Sequence, residues 1–147
     1  MELDIIQNKI YEVRGTRVML DFDLAELYQV ETKRLKDSVR RNIERFEGDD
    51  FMFELTSEEY NSLIISLRSQ FATSNERGGR RHMPFAFTEQ GVAMLSSVLK
   101  SERAIQVNRS IIRAFVAMRN YIMSTKTITS ELEAIKAKLE LLERNDE

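Results

Sequence analysis

Six basic side chains stand between positions 33 and 46 (Lys33, Arg34, Lys36, Arg40, Arg41 and Arg45), against the acidic pair Asp37 and Glu44. Arginine can pair bidentately with guanine, and lysine and arginine neutralise phosphate. Thr32 precedes the run. As a helix N-cap beside free helix N–H groups it could also hold a phosphate. A DNA-reading helix inserts its N-terminal part into the major groove, and residues 32–36 are polar and basic. A solvated face of an amphipathic helix accounts for the same charges, so the pattern alone leaves both readings open.

Other chemistry is poorly supported. His82 is the one histidine and there is no cysteine, which removes thiol catalysis, disulfides and thiolate zinc sites. No H-E-x-x-H, EF-hand loop or nucleophile elbow occurs. Asp21 and Asp23 read as turn and cap residues, and Gly78-Gly79 as a turn rather than a phosphate cradle. We therefore expect no catalytic residue, metal, cofactor or small-molecule substrate.

The elements that must present the basic run can be traced. Tyr11, Val13, Val18 and Leu20 flank Arg14-Gly15-Thr16, the pattern of a β-hairpin. Asp23 reads as an N-cap, with Glu26 three residues on and Leu24, Leu27 and Tyr28 on one helical face. Residues 30–32 make a short turn, the length a helix-turn-helix uses. A second helix over 33–46 puts Leu35, Val39, Ile43 and Phe46 on one stripe. At about 100° per residue, Lys33, Lys36, Arg40 and Arg41 fall opposite, with Arg34 and Arg45 on a flank. FMFEL (51–55) alternates as a strand. Thr56 and Glu59 form a capping box before a helix. MPFAF (83–87) is a second strand, placed at an edge or starting near Pro84 and paired with FMFEL. Arg77, Arg80 and Arg81 would then sit near the connection, as on the wing of a winged-helix protein. Helices follow from Glu89 and from Ser101, the latter to about Met123 with Arg109 and Arg113 one turn apart. After a weak break at 124–127, Ile128, Leu132, Ile135, Leu139 and Leu142 repeat at heptad spacing. That seam either joins two chains as a homodimer or packs back on the domain. We expect a domain over 1–123 and a dimerisation helix over 124–147.

The net charge of −2 hides this distribution, because the last 17 residues hold six acidic and three basic side chains. No apolar run reaches the length of a membrane span, and MELDIIQNKI lacks the order of a secretion signal. A cytoplasmic protein without membrane contact is the expectation. The chain ends at Asn145-Asp146-Glu147 without an obvious helix stop, as a piece of a longer protein would.

Three stretches carry a resemblance: RVMLDFDLAELYQVETKRLKDSVRRNIERF (17–46), FMFELTSEEY (51–60) and GGRRHMPFAFTEQGVAMLSSVLKSERAIQVN (78–108). Together they resemble the phage KilA-N-like DNA-binding domains, in the subgroup named for the N-terminal region of phage open reading frame six. The likeness covers about residues 10–122. With the elements traced above, the expectation is an α+β fold with a winged-helix-like helix-turn-helix core and short β-hairpins, followed by a long helix and a C-terminal heptad helix that lies outside the likeness. The resemblance implies a DNA-binding regulator of phage or prophage origin, without catalysis. The family's LAxLYxVxTKxLxxxVxRNxxRF pattern falls on 24–46 and carries over only the region 32–45. Glu47-Gly48 stands where the family usually passes through a proline, and His82 where tyrosine is common. The expected contacts to double-stranded DNA are Thr32, Lys33, Arg34, Lys36, Arg40, Arg41 and Arg45, with Arg80 and Arg81 on the flanking backbone. An antirepressor that binds another regulatory protein instead of DNA remains the alternative.

Overall fold

Arg14 and Gly15 both take positive φ, 55° and 73°, and reverse the chain between β1 (Tyr11–Val13) and β2 (Thr16–Leu20). Two left-handed residues in a two-residue turn match the twist of the strands they join. The computed structural model describes residues 3–71 and 82–145. Before the hairpin lies α1 (Leu3–Gln7), and after it come α2 (Asp21–Tyr28) and α3 (Thr32–Arg41). A 3₁₀ turn (Ile43–Phe46), β3 (Met52–Glu54) and α4 (Ser57–Phe71) follow. Then come β4 (Phe85–Phe87), α5 (Glu89–Leu99) and α6 (Glu102–Asn145).

The four strands form one antiparallel sheet in the order β1-β2-β4-β3. β4 is therefore interior, with Met19 opposite Phe87 on one side and Phe53 opposite Ala86 on the other. Pro84 sits just before this strand, where its missing N–H costs the ladder nothing. Its carbonyl accepts the Leu55 N–H at 3.0 Å. The sheet is covered on both faces. Met19 and Phe87 point into the larger core with helices α1, α2, α3, α5 and α6. Val18, Leu20, Phe53 and Ala86 face Tyr60 and Leu63 of α4. The fold is α+β, as expected. β3 and β4 do pair, but the chain between them passes through α4, so they are not a hairpin with a short tip.

Two polar clamps hold the layers. The Thr56–Glu59 capping box forms in both directions, at 2.8 and 3.1 Å. Arg14 reaches across from the hairpin turn to grip the same Glu59 through two nitrogens at 2.7 and 3.1 Å. With Arg14 bonded to it, the Glu59 carboxyl drops to about 2. After β4, Thr88 caps α5, accepting the Gly91 N–H at 3.2 Å and donating to the Asp50 carbonyl at 2.5 Å. The phrase FTEQG thus closes a junction between β4, α5 and the loop before β3. Gly91 is there because any Cβ would collide with the Phe51 carbonyl oxygen.

Four boundaries differ from the sequence reading. α2 begins at Asp21, so Asp23 is not its cap but lies buried in the first turn. Thr32 is the first residue of α3 rather than its cap; Glu31 holds that place without a side-chain bond. α3 ends at Arg41 rather than at 46. There the Asn42 side chain donates to the Ser38 carbonyl at 2.9 Å, and its backbone leaves helical angles at φ −125°, ψ 34°. The change of winding turns Phe46 inward against Phe87, edge to face, and leaves Ile43 47% exposed. Finally, α6 runs through 124–127 without a break. Thr125, Thr127 and Thr129 donate their hydroxyls to carbonyls four residues back, at 2.9 to 3.0 Å, and so stay within the helix.

An exposed helix interior would gain about 1 kcal/mol from glycine-to-alanine exchange. Gly91→Ala reverses that sign: we expect it to cost about 2–3 kcal/mol in urea unfolding, through overpacking against rigid backbone.

Candidate nucleic-acid interface

α2 and α3 are joined by Gln29, Val30 and Glu31. Gln29 takes left-handed angles, φ 60° and ψ 47°, and the Val30 N–H returns to the Ala25 carbonyl at 3.0 Å. This closes α2 in the manner of a helix stop and fixes the angle at which α3 leaves. Leu35 and Val39 are fully buried against the core, which leaves the opposite side of α3 free.

On that free side stand Lys33, Arg34, Arg40 and Arg41, with Arg45 on the following 3₁₀ turn; all five are exposed, and Thr32 is half-buried. The acidic dilution is partly neutralised, since Asp37 pairs with Arg40 at 3.4 Å. Arg41 donates to the Ser38 hydroxyl at 3.4 Å, and Arg45 to the Ser97 hydroxyl of α5 at 3.2 Å. Lys33 and Arg34 make no ion pair among the described residues. Arg34, Ser38 and Arg41 form one wall of a groove of about 280 Å³, whose other wall includes Val98, Leu99 and Ser101. Farther along, Ser96, next to Ser97, shares a second groove with Arg109 and Arg113. The arrangement suits a polyanion: exposed cations at the start of a helix, and cations beside serine hydroxyls farther along it.

Lys36 is the correction. The sequence placed it on the outer face, but it is only 7% exposed, and its ammonium lies 3.5 Å from the wholly buried Asp21 carboxylate. It also donates to the Met83 carbonyl at 3.2 Å and sits 4.5 Å from the Phe85 ring centre. Asp21 in turn accepts the Phe85 N–H at 2.9 Å. Lys36 thus fastens α3 to the start of β4 and does not face outward as a DNA contact would. At about 100° per residue Lys36 in fact stands about 60° from Val39, on the flank of the stripe rather than opposite it. Only the position of β4 beneath α3 shows which side of the stripe is covered. Arg77, Arg80 and Arg81 lie outside the described residues.

Two further residues, unassigned to this role from sequence, hold the presenting helices in place. Buried Asn108 of α6 donates to the Tyr28 hydroxyl at 3.0 Å and to the Val92 carbonyl at 2.6 Å, so it joins α2, α5 and α6. Arg103 donates to the Leu27 carbonyl at 3.3 Å, at the end of α2.

The family model of the ORF6N domain matches residues 8–98, from the residues just before the hairpin into α5. That is more than half of the chain. The protein belongs to the ORF6N domain family. Comparison with curated proteins and with solved structures gives no match. The ORF6N match contains α2, α3 and all four strands, while α6 lies beyond it. The seam residues Ile128, Leu132, Ile135, Leu139 and Leu142 project from that outer part, each between 55% and 60% exposed. They do not pack back on the domain. No helix among the described residues is long and apolar enough to cross a membrane, and no described cluster of His, Cys, Asp or Glu could hold a metal ion.

Truncating Lys36 strands a buried carboxylate. Lys36→Ala should cost about 3–5 kcal/mol, and the double change Asp21→Asn with Lys36→Met should recover most of it; urea midpoints compare the three. A second buried acid gives a pH signature. Burial raises the Asp23 carboxyl to about 6, while Lys9 at 3.7 Å opposes the rise and Glu26 adds to it. The folded value exceeds the unfolded one of about 3.9. The cost of ionised Asp23 is therefore absent at low pH and grows as pH rises toward and through 6. The stability of the parent relative to Asp23→Asn should fall by about 2–3 kcal/mol between pH 4 and pH 7.5.

Proposed function

We propose that this ORF6N protein is a DNA-binding regulatory protein of phage type, in which α2 and α3 act as a helix-turn-helix and α3 lies in the major groove. The observation that carries the proposal is the free face of α3, with five exposed basic side chains on α3 and its 3₁₀ extension, behind a three-residue turn. Lys33 and Arg34, without an ion pair among the described residues, contact base edges or phosphates, and Thr32 adds its hydroxyl beside the uncapped N–H groups of the first turn. Arg40, Arg41 and Arg45 contact phosphates. The resemblance to KilA-N-like DNA-binding domains supports the same reading. The exposed seam of α6 joins copies of the chain, a homodimer being the smallest such assembly. Paired reading heads suit a palindromic site.

Five neutralised phosphates predict a slope of about −4 to −5 in log affinity against log salt. Fluorescence anisotropy on a labelled duplex across a salt series measures it. Lys33→Ala with Arg34→Ala should weaken binding about tenfold or more and leave the unfolding midpoint unchanged. Absence of any duplex binding at low salt would overturn the proposal in favour of an antirepressor that recognises another regulatory protein.

A further inference from the structure

The stalk of α6 states how many copies it takes and in which direction, given the reading that it joins copies at all. Steps of four and three residues from Ile128 to Leu142 put Leu132 and Leu139 at heptad position a, and Ile128, Ile135 and Leu142 at d. The same register runs back through Thr125 at a to Tyr121 at d, which is 73% exposed. The seam therefore begins where the helix leaves the domain and continues for about 30 Å along the axis. Residues 123–144 are exposed all round.

Two independent features of this seam point to its occupant. Parallel two-stranded coils favour β-branched residues at a and leucine at d, and leucine at a with isoleucine at d favours larger bundles. Between Ile128 and Leu142 both a sites are leucine, and two of the three d sites are isoleucine; Thr125 and Tyr121 extend the register without adding to that pattern. In the parallel direction all four flanking charges find opposite partners. Glu131 and Lys138 fall at g, and Lys136 and Glu143 at e. In a parallel, in-register arrangement each g side chain meets the e side chain five residues on in its neighbour. Glu131 would face Lys136 of the next copy, and Lys138 would face Glu143. Both contacts are between opposite charges, repeated around the bundle.

We propose that the stalk gathers four copies of this chain into a parallel, in-register bundle, so that four ORF6N heads sit at one end. Two pairs of heads can then engage two duplex sites at once, a geometry a dimer lacks.

Light scattering of the full chain tests the number, with an expected mass four times 17.2 kDa. Exchanging the seam residues by Ile128→Leu, Leu132→Ile, Ile135→Leu and Leu139→Ile keeps composition and should halve that mass. A parent mass of two chains overturns the four-copy bundle but leaves self-association standing. A parent mass of one chain overturns both. Direction is tested separately. The chain has no cysteine, so Thr125→Cys under mild oxidation should cross-link neighbouring copies, and failure to cross-link overturns the parallel register. Glu131→Lys with Lys138→Glu sets like charges across every parallel contact, yet keeps opposite charges across the g-to-g contacts of an antiparallel pair. The parallel bundle predicts a lowered Tm for this variant, restored by adding Lys136→Glu with Glu143→Lys. An unchanged Tm overturns it.

Discussion

Asp21 and Lys36 meet 3.5 Å apart where water does not reach, one at the first residue of α2 and the other in the middle of α3. Each also holds the start of β4, through the Phe85 N–H and the Met83 carbonyl. Such a pair adds little net stability, because desolvation of both charges offsets their attraction. Its effect is to make alternatives costly. Any docking of α3 that separates the two leaves an unpaired charge in the core. The orientation of α3 relative to the sheet follows from this constraint, and so does the face on which Lys33, Arg34, Arg40 and Arg41 emerge.

The rest of the fold keeps that pair enclosed. The interior strand β4 is closed in by α4 on one face and by the helical core on the other. Thr88 and Gly91 let α5 approach the chain before β3 closely. Asn108 then draws α6 against both α2 and α5. Beyond Ile122 the same helix has no core to cover it, and its apolar residues fall onto a heptad seam instead. One helix is thus a buttress over its first half and an exposed apolar seam over its second, with back-bonded threonines carrying it through the change.

Much of this was legible in the residues. Alternating Phe51, Phe53 and Leu55, the Thr56–Glu59 box, the Arg14-Gly15 turn and the stripe of Leu35 and Val39 are local signals, and local physics decides them. What sequence periodicity missed was decided by tertiary neighbours. Lys36 lies on the flank of the stripe, about 60° from Val39, and β4 beneath it decides that this flank is covered. Asn42 reads as one more helical residue until its side chain takes the Ser38 carbonyl, and that bond changes the register that would have buried Ile43. The short α1, whose Ile6 enters the core, had no periodic signature long enough to read. The serine and threonine run at 124–127 resembled a break because such hydroxyls compete with backbone bonds; here they bond inside the helix.

The central claim is that α3 reads duplex DNA through its free basic face. Selection of bound sequences from a random duplex pool, with the full chain as bait, tests it most directly. The account predicts enrichment of a palindrome, its half-sites spaced by the geometry of paired heads. A pool that remains random after repeated rounds would contradict it.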